Sequence, residues 1–482
     1  MKTSFKKLFE IYILAYVFLL LSKPINDPDF WFHLKGGEYT LLHGIPRTDP
    51  FSFTYHGYPW IDHGWLSGLI FYLIQSRFGY NVLIFLFAVI ATFAFWLVFR
   101  RCNAHPFIAG FAVFLGALSV APNIGVRTRI FTLLFTSVFL LVLTHYSRRG
   151  QGPMIWLLVP IMALWVNLHG GFVIGFVLIG LAILGTVLDK WFGDDQLPLW
   201  PRAGVMGLVL GACLLAALLN PYGAAMFSVP GRVLQSPIYK EVVVDWRSPD
   251  FHQTELVPFM LLFLLTTVAL ALSPIRPKPS ELLFFLAILY AALNTQRNVL
   301  IFPLVAVPLF ANYFQHWLDA NALGKRFRQN TTFSGPPNIF ALLFLLPLVL
   351  FAVKLKSTVY GEFRQQTMDV PLKAVEYLKE KQIVGNTFTV PNVWANYLIW
   401  EMPSNPVFID GRDVYPEQFV QEYVDIALGL RDWREPFNRY GVQVVIVPTT
   451  SVLTKELSAA FDWQEIYRDE MAAVFSRRSL NE

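Results

Sequence analysis

The chain has 482 residues, 55% of them hydrophobic and 15% charged, with a formal net charge of +5. Soluble domains carry roughly 25% charged residues, which excludes an ordinary soluble globular protein. The small positive excess fits basic loops and lipid phosphates rather than nucleic acid, and the two cysteines, Cys102 and Cys213, support neither a disulfide framework nor a metal site.

Lys2, Lys6 and Lys7 precede an apolar run, Leu8 to Leu21. The charged start suits a signal peptide, but no small-x-small site follows. The run is expected to remain as an uncleaved first span with its N-terminus in the cytoplasm. An external loop, 23–79, then opens with Asp27-Pro28-Asp29-Phe30-Trp31-Phe32-His33 and continues through Glu38 and Asp49 to Trp60-Ile61-Asp62-His63. Acidic groups at a membrane boundary are costly unless something uses them. In extended backbone Asp27 and Asp29 share a face, so they suit a divalent cation (magnesium or manganese) or a general base. The alternative is a solvated turn capping a helix that begins near Phe30.

Trp65 to Ile74 is too short to span and reads as an interfacial or re-entrant helix; Tyr80 to Phe99 then crosses inward to Arg100-Arg101. Further spans are expected at Pro106 to Val120, Ile130 to Tyr146, Met154 to Val166, Phe172 to Leu188, Ala203 to Leu219, Leu256 to Leu272, Leu282 to Leu293, Val299 to Phe314 and Pro337 to Val353. That makes about eleven on the length criterion. The alternation puts Arg100, Arg101, Arg148, Arg149, Lys190, Arg202, Arg276 and Lys278 on the inside, as basic loops require.

The outward connections carry the other polar motifs. Arg127-Thr128-Arg129 offers planar donors for phosphate, or snorkels at the interface. Asn167-Leu168-His169-Gly170-Gly171 forms a tight helical hairpin, which does not itself need the histidine. A long connection runs from Asn220-Pro221-Tyr222-Gly223 through Tyr239-Lys240-Glu241 to Asp245-Trp246-Arg247. It suits a turn and a simple ion pair, or a cover over substrate. Arg297, between two spans, needs a partner, and a lipid phosphate would serve.

From Lys354 the apolar runs shorten. Strands are expected at Thr387 to Val390, Val407 to Ile409 and Val442 to Val447, helices at Pro371 to Lys381 and Pro416 to Leu428, and a hairpin from Gln464 to Phe475. The expected architecture is an α-helical polytopic membrane module, 1–353, followed by an extracytoplasmic α/β domain, 354–482. Phe408-Ile409-Asp410-Gly411-Arg412-Asp413 follows a strand and reads either as a ligand loop or as a turn with a local Asp–Arg pair. No P-loop, Gly-x-Gly-x-x-Gly, nucleophile elbow or His-Glu-x-x-His occurs, which argues against ATP-driven transport.

An acidic pair just after a first span, a large external loop, an interfacial helix at Trp65 to Ile74 and a soluble external tail resemble the GT-C superfamily of polytopic glycosyltransferases. Protein O-mannosyltransferases, lipid A aminoarabinose transferases and oligosaccharyltransferases belong to it. The tail, with Tyr397-Leu398-Ile399-Trp400 and Val407 to Arg412, looks like that of a broad group of bacterial membrane proteins. The resemblance implies a multi-pass protein of the bacterial cytoplasmic (inner) membrane. It implies transfer of a sugar from a polyprenyl-phosphate donor to an extracytoplasmic lipid, glycan or protein. Asp27 or Asp29 would be general base, Asp27 preferred, with a divalent cation used by some members only. Arg127, Arg129 and Arg297 would hold the lipid phosphate. His33, Trp31, His63, Asn167, His169, Tyr222, Asp245 and Arg247 are candidate substrate contacts. A lipid-linked glycan flippase or polymerase is the alternative, although the spans are nearly free of charge. A non-catalytic subunit or scaffold of a membrane complex is another.

Overall fold

A computed structural model describes residues 2–193, 197–235, 244–321, 349–350, 352–353 and 370–478. In chain order its first helices are α1 (Lys2–Leu21), α2 (Phe30–His43), α3 (Trp65–Arg101), α4 (Pro106–Val120), α5 (Arg129–Arg149), α6 (Leu158–Leu168), α7 (Val173–Trp191), α8 (Leu199–Ala216) and α9 (Ser228–Gln235). The chain divides into two compact units.

The first unit comprises 1–23, 81–223 and 240–362. It contains α4 to α8 and the helices Val257–Leu272, Pro279–Asn294 and Phe302–Ala320. Among the described residues, six helices are long and apolar enough to cross a membrane, and Phe9–Leu21, Pro153–Leu168 and Pro279–Asn294 are shorter apolar helices. Each expected span up to Phe314 is matched by a helix; Pro337 to Val353 lies almost wholly outside the described residues. Local chemistry sets the ends: Pro106 starts α4 with the His105 ring accepting from Phe107 N–H, and Gly150, at φ 71°, ends α5.

The second unit comprises 24–80, 224–239 and 363–482. The loop 23–79, read from sequence as part of the membrane module, therefore falls with the C-terminal segment. Its sheet has the order β1 (Thr387–Thr389), β2 (Val444–Pro448), β4 (Ala472–Arg477), β3 (Trp463–Arg468). β1 and β2 are parallel, and β2–β4 and β4–β3 antiparallel, so the expected terminal hairpin is present. Val407 to Ile409 is not a strand. Val407 makes only isolated bridges to Ser52 and Thr387, because the loop rather than a full strand pairs with it. Trp60 packs in one core with Phe388, Phe408, Phe419 and Phe437, and Phe51, Phe53 and Tyr55 lie against that core. Removing such aromatic area from water supplies much of the drive to fold.

Gly79, at φ 80° and ψ 175°, breaks α3 into two helical segments, as the separate readings of Trp65 to Ile74 and Tyr80 to Phe99 anticipate. The first segment packs tightly on α2: a Cβ on Gly68 would lie 2.5 Å from the carbonyl oxygen of His33.

Candidate functional site

In the second unit Asp29 is the N-cap of α2, with φ −71° and ψ −16°, and its side chain makes no capping bond. The carboxylate is held elsewhere. Asn396 Nδ2, on the helix Val393–Glu401, donates to Asp29 Oδ1 at 3.1 Å, while Asn396 Oδ1 accepts from Gly411 N–H at 2.9 Å. A Cβ on Gly411 would lie 2.7 Å from Asp29 Oδ1, so only glycine lets the loop approach the carboxylate this closely. Asp27 Oδ1 accepts from Asp29 N–H at a long 3.4 Å. The segment turns into a helix instead of running extended, so the same-face geometry expected for the two aspartates does not form.

Beneath this loop lies a fully buried charge network. Arg412 donates to Asp49 Oδ1 at 2.7 Å and to Asp410 Oδ2 at 2.6 Å, and its guanidinium lies 4.6 Å from the Trp60 ring centre and 4.9 Å from that of Phe51. Tyr415 Oη donates to Asp410 at 2.8 Å. Burial opposes the charge on Arg412, but Asp410, Tyr415 and Asp49 outweigh it and hold its pKa well above the usual arginine value. The local Asp–Arg turn is therefore present, with Asp49 joined to it from the first loop.

Two further titratable groups are buried here. Desolvation pushes Asp62 up to about 7, against a bond from Gly64 N–H and the charge of Arg412. Desolvation, with His63 adding repulsion, lowers His33 to about 3.

In the first unit the arginines converge. Arg129 pairs with Asp245, which desolvation would neutralise; Arg129, then Arg297 and Arg127, outweigh that and hold its pKa below the usual carboxylate range. Arg297 lies 4.9 Å from the Trp246 ring centre and 3.0 Å from His169 Nε2. On the other ring nitrogen, Nδ1 accepts from Gly171 N–H at 3.1 Å and lies 2.7 Å from Thr132 Oγ1. Thr132 Oγ1 accepts from Trp165 Nε1 at 3.0 Å. Three cations around one carboxylate, beside an imidazole, form a basic site suited to a phosphate.

No protein-family model matches the chain, and no curated protein does. Solved structures do. The oligosaccharyltransferase of Archaeoglobus fulgidus is 14% identical with a TM-score of 0.53, the match covering 92% of this chain and 69% of that one. ArnT from Cupriavidus metallidurans, solved bound to undecaprenyl phosphate, is 12% identical with a TM-score of 0.53, covering 100% of this chain and 99% of that one. The mycobacterial arabinofuranosyltransferase AftD is 14% identical with a TM-score of 0.53, covering 99% of this chain and 42% of that one. The chain has the GT-C fold.

Within this GT-C fold the structure groups Arg127, Arg129, Arg297, His169 and Asp245 around one another. Asp245 is engaged with Arg129, and Arg247 is exposed, its carbonyl accepting from Gln296 N–H at 2.8 Å. Asn167 ties helix ends, donating to the carbonyls of Ala163 and Leu219. Tyr222 sits in a turn where its N–H donates to Asn220 Oδ1 at 2.8 Å, as Asn-Pro-Tyr-Gly suggests; Tyr239 to Glu241 lie outside the described residues. In the second unit His63 is half-buried next to His33.

Two expected substrate contacts lie buried. Trp31 is fully buried, edge-on to Tyr397 at 4.9 Å, so its ring offers no face to a sugar. His33 is also buried, its ring against Phe32 and Phe71, because α2 turns it onto the first segment of α3. Among the described residues no three His, Cys, Asp or Glu groups come together as a metal-ligand set, and Asp29 Oδ1 accepts from Asn396.

Asn396 was not singled out from sequence, and Gly411 and Asp62 were named only within longer motifs, without a role of their own. A lone asparagine in the otherwise apolar stretch Val393 to Trp400 was the available signal, since a buried amide must be satisfied.

Proposed function

We propose that this chain is a membrane glycosyltransferase that takes a sugar from a polyprenyl-phosphate donor and passes it to an extracytoplasmic lipid, glycan or protein. The observation that carries the reading is the convergence of Arg127, Arg129 and Arg297 on Asp245 beside His169. Negative charge builds on the departing phosphate oxygen as the sugar–phosphate bond breaks. Preorganised guanidinium donors stabilise that charge more than they stabilise the ground state. A hydroxyl of the acceptor attacks the anomeric carbon, and Asp27 takes its proton as general base. Asp29, fixed by Asn396 and Gly411, positions the loop that carries Asp27. The solution of ArnT, a protein of the same fold, with undecaprenyl phosphate supports that lipid class as donor carrier.

The test has two arms. Purified full-length chain is titrated with undecaprenyl phosphate, and envelope glycans of a deletion strain complemented with each variant are profiled by mass spectrometry. Arg297→Ala should weaken lipid binding by roughly tenfold or more, the loss of a charge-assisted contact. Asp27→Asn should bind lipid normally and fail to restore the glycan. Full restoration by both Asp27→Asn and Asp29→Asn, at normal expression, would leave the non-catalytic subunit as the surviving reading.

A further inference from the structure

The first unit holds a second basic site that the transfer reaction does not use. A cavity of about 220 Å³ is lined by Arg101, Arg148, Arg202 and Lys278, together with Asp189 and Glu281. Arg129 and Arg148 both lie on α5, 19 residues apart, hence about 28 Å along the helix at 1.5 Å per residue. The cavity and the Arg129–Asp245 site thus belong to opposite ends of one helix. It is the end that the charge rule assigns to the cytoplasm.

The carboxylates in this cavity are already committed. Asp189 accepts from Ser280 N–H at 2.8 Å and from Ser280 Oγ–H at 2.7 Å; Glu281 accepts from the Tyr313 hydroxyl and from Lys278 N–H. Arg202 is spent on backbone carbonyls, donating to those of Pro198, Ser147 and Leu197. Arg101, Arg148 and Lys278 form no ion pair with an acid among the described residues; Arg101 donates from Nη1 to the carbonyl of Leu304, while its buried Nε–H has no acceptor. The deeper wall is apolar, built by Leu140, Leu143, Phe284, Val305 and Leu309. Helix C-termini and the membrane surface explain why arginines stand here. They do not explain a cavity that combines cations lacking a carboxylate partner with a hydrocarbon wall.

We propose that this cavity binds an anionic amphiphile, its phosphate held by Arg101, Arg148 and Lys278 and its chain laid along the apolar wall. A phosphate group is the chemistry matched by planar and ammonium donors together. A lipid is the source that also uses the wall.

The test is binding to the full-length chain in detergent, read by native mass spectrometry and thermal shift. The probes are dioctanoyl phosphatidylglycerol, dioctanoyl phosphatidylcholine and inorganic phosphate. Phosphatidylglycerol should bind and stabilise; phosphatidylcholine and inorganic phosphate should do so at least roughly tenfold more weakly, the margin of one charge-assisted contact or a few buried methylenes. Arg148→Gln and Lys278→Gln, at exposed positions where folding should survive, should each weaken phosphatidylglycerol binding by a similar factor. Arg149→Gln, outside the cavity, should not. Arg297→Ala should leave this component of binding intact, which separates it from the donor site. Equal shifts with phosphatidylcholine, equal shifts with inorganic phosphate, or unaltered binding in both Arg148→Gln and Lys278→Gln would each overturn the proposal.

Discussion

Asp62 and His33 give opposite pH dependences to the stability of the second unit, and single substitutions should unmask them. Burial raises Asp62 from 3.8 to about 7, so the folded chain holds a proton there that the unfolded chain releases above pH 4. Stability contributed by this group is therefore lost as pH rises from about 4 to about 7, for a total near 4 kcal/mol at ~1.4 kcal/mol per unit. Burial lowers His33 from 6.5 to about 3, so its contribution is present above pH 6.5 and is lost as pH falls toward 3, on the order of 5 kcal/mol. Between about pH 4 and 6.5 the two slopes cancel. Asp62→Asn removes the acid but keeps an oxygen for Gly64 N–H; it should leave stability rising with pH by roughly 3 kcal/mol across that window. His33→Gln should leave it falling by a similar amount. Thermal unfolding of the full chain in detergent from pH 4.5 to 8, followed by tryptophan fluorescence, measures both. Profiles of the same shape in wild type and both variants would refute the burial-driven shifts.

Arg412→Met should destabilise the second unit by about 3–5 kcal/mol, because Asp49 and Asp410 are left buried and unpaired; the thermal midpoint reports it, and a loss below 1 kcal/mol would contradict the network. Gly411→Ala should push Asp29 off Asn396 and lower glycan assembly more than it lowers the midpoint, whereas normal assembly would show that the Asp29 position is not needed. Asp245→Asn removes the one carboxylate among three arginines and should tighten undecaprenyl phosphate binding by about tenfold with a steeper salt dependence; weaker binding at unchanged stability would make Asp245 part of the phosphate site itself.

Spans, the terminal hairpin and the break before Tyr80 were legible because each follows from a local pattern: apolar run length, alternation, or a short apolar run ending near Arg77-Phe78-Gly79. The grouping of the arginines with His169 was legible only as a set of candidates, since Arg129 and Arg297 lie on segments far apart in sequence. What could not be read was the partnership of 24–80 with 363–482. Nothing in their neighbourhood in sequence marks Phe51, Phe53 and Trp60 for a distant partner, yet they pack on the core of a sheet whose strands begin more than 300 residues later. Composition says that an aromatic will be buried, not against what. The same limit explains Trp31 and His33: helical periodicity in Phe30–His43 shows that one face is buried, and only packing on the first segment of α3 shows that both side chains lie on it.

The resident carboxylate at the arginine site follows from the same electrostatics that would make the site useful. Three guanidinium groups brought together in a poorly solvated place repel one another strongly, and desolvation adds to the cost. A protein that holds them ready for an anion must carry a counter-charge in the meantime. Asp245 meets that need, paired with Arg129 and sensed by Arg297 and Arg127. One carboxylate against three arginines leaves an excess of two positive charges, close to the charge of a phosphate monoester. Such a site stays soluble in its own fold when empty, yet gains most when an oxygen of the leaving phosphate takes on full charge.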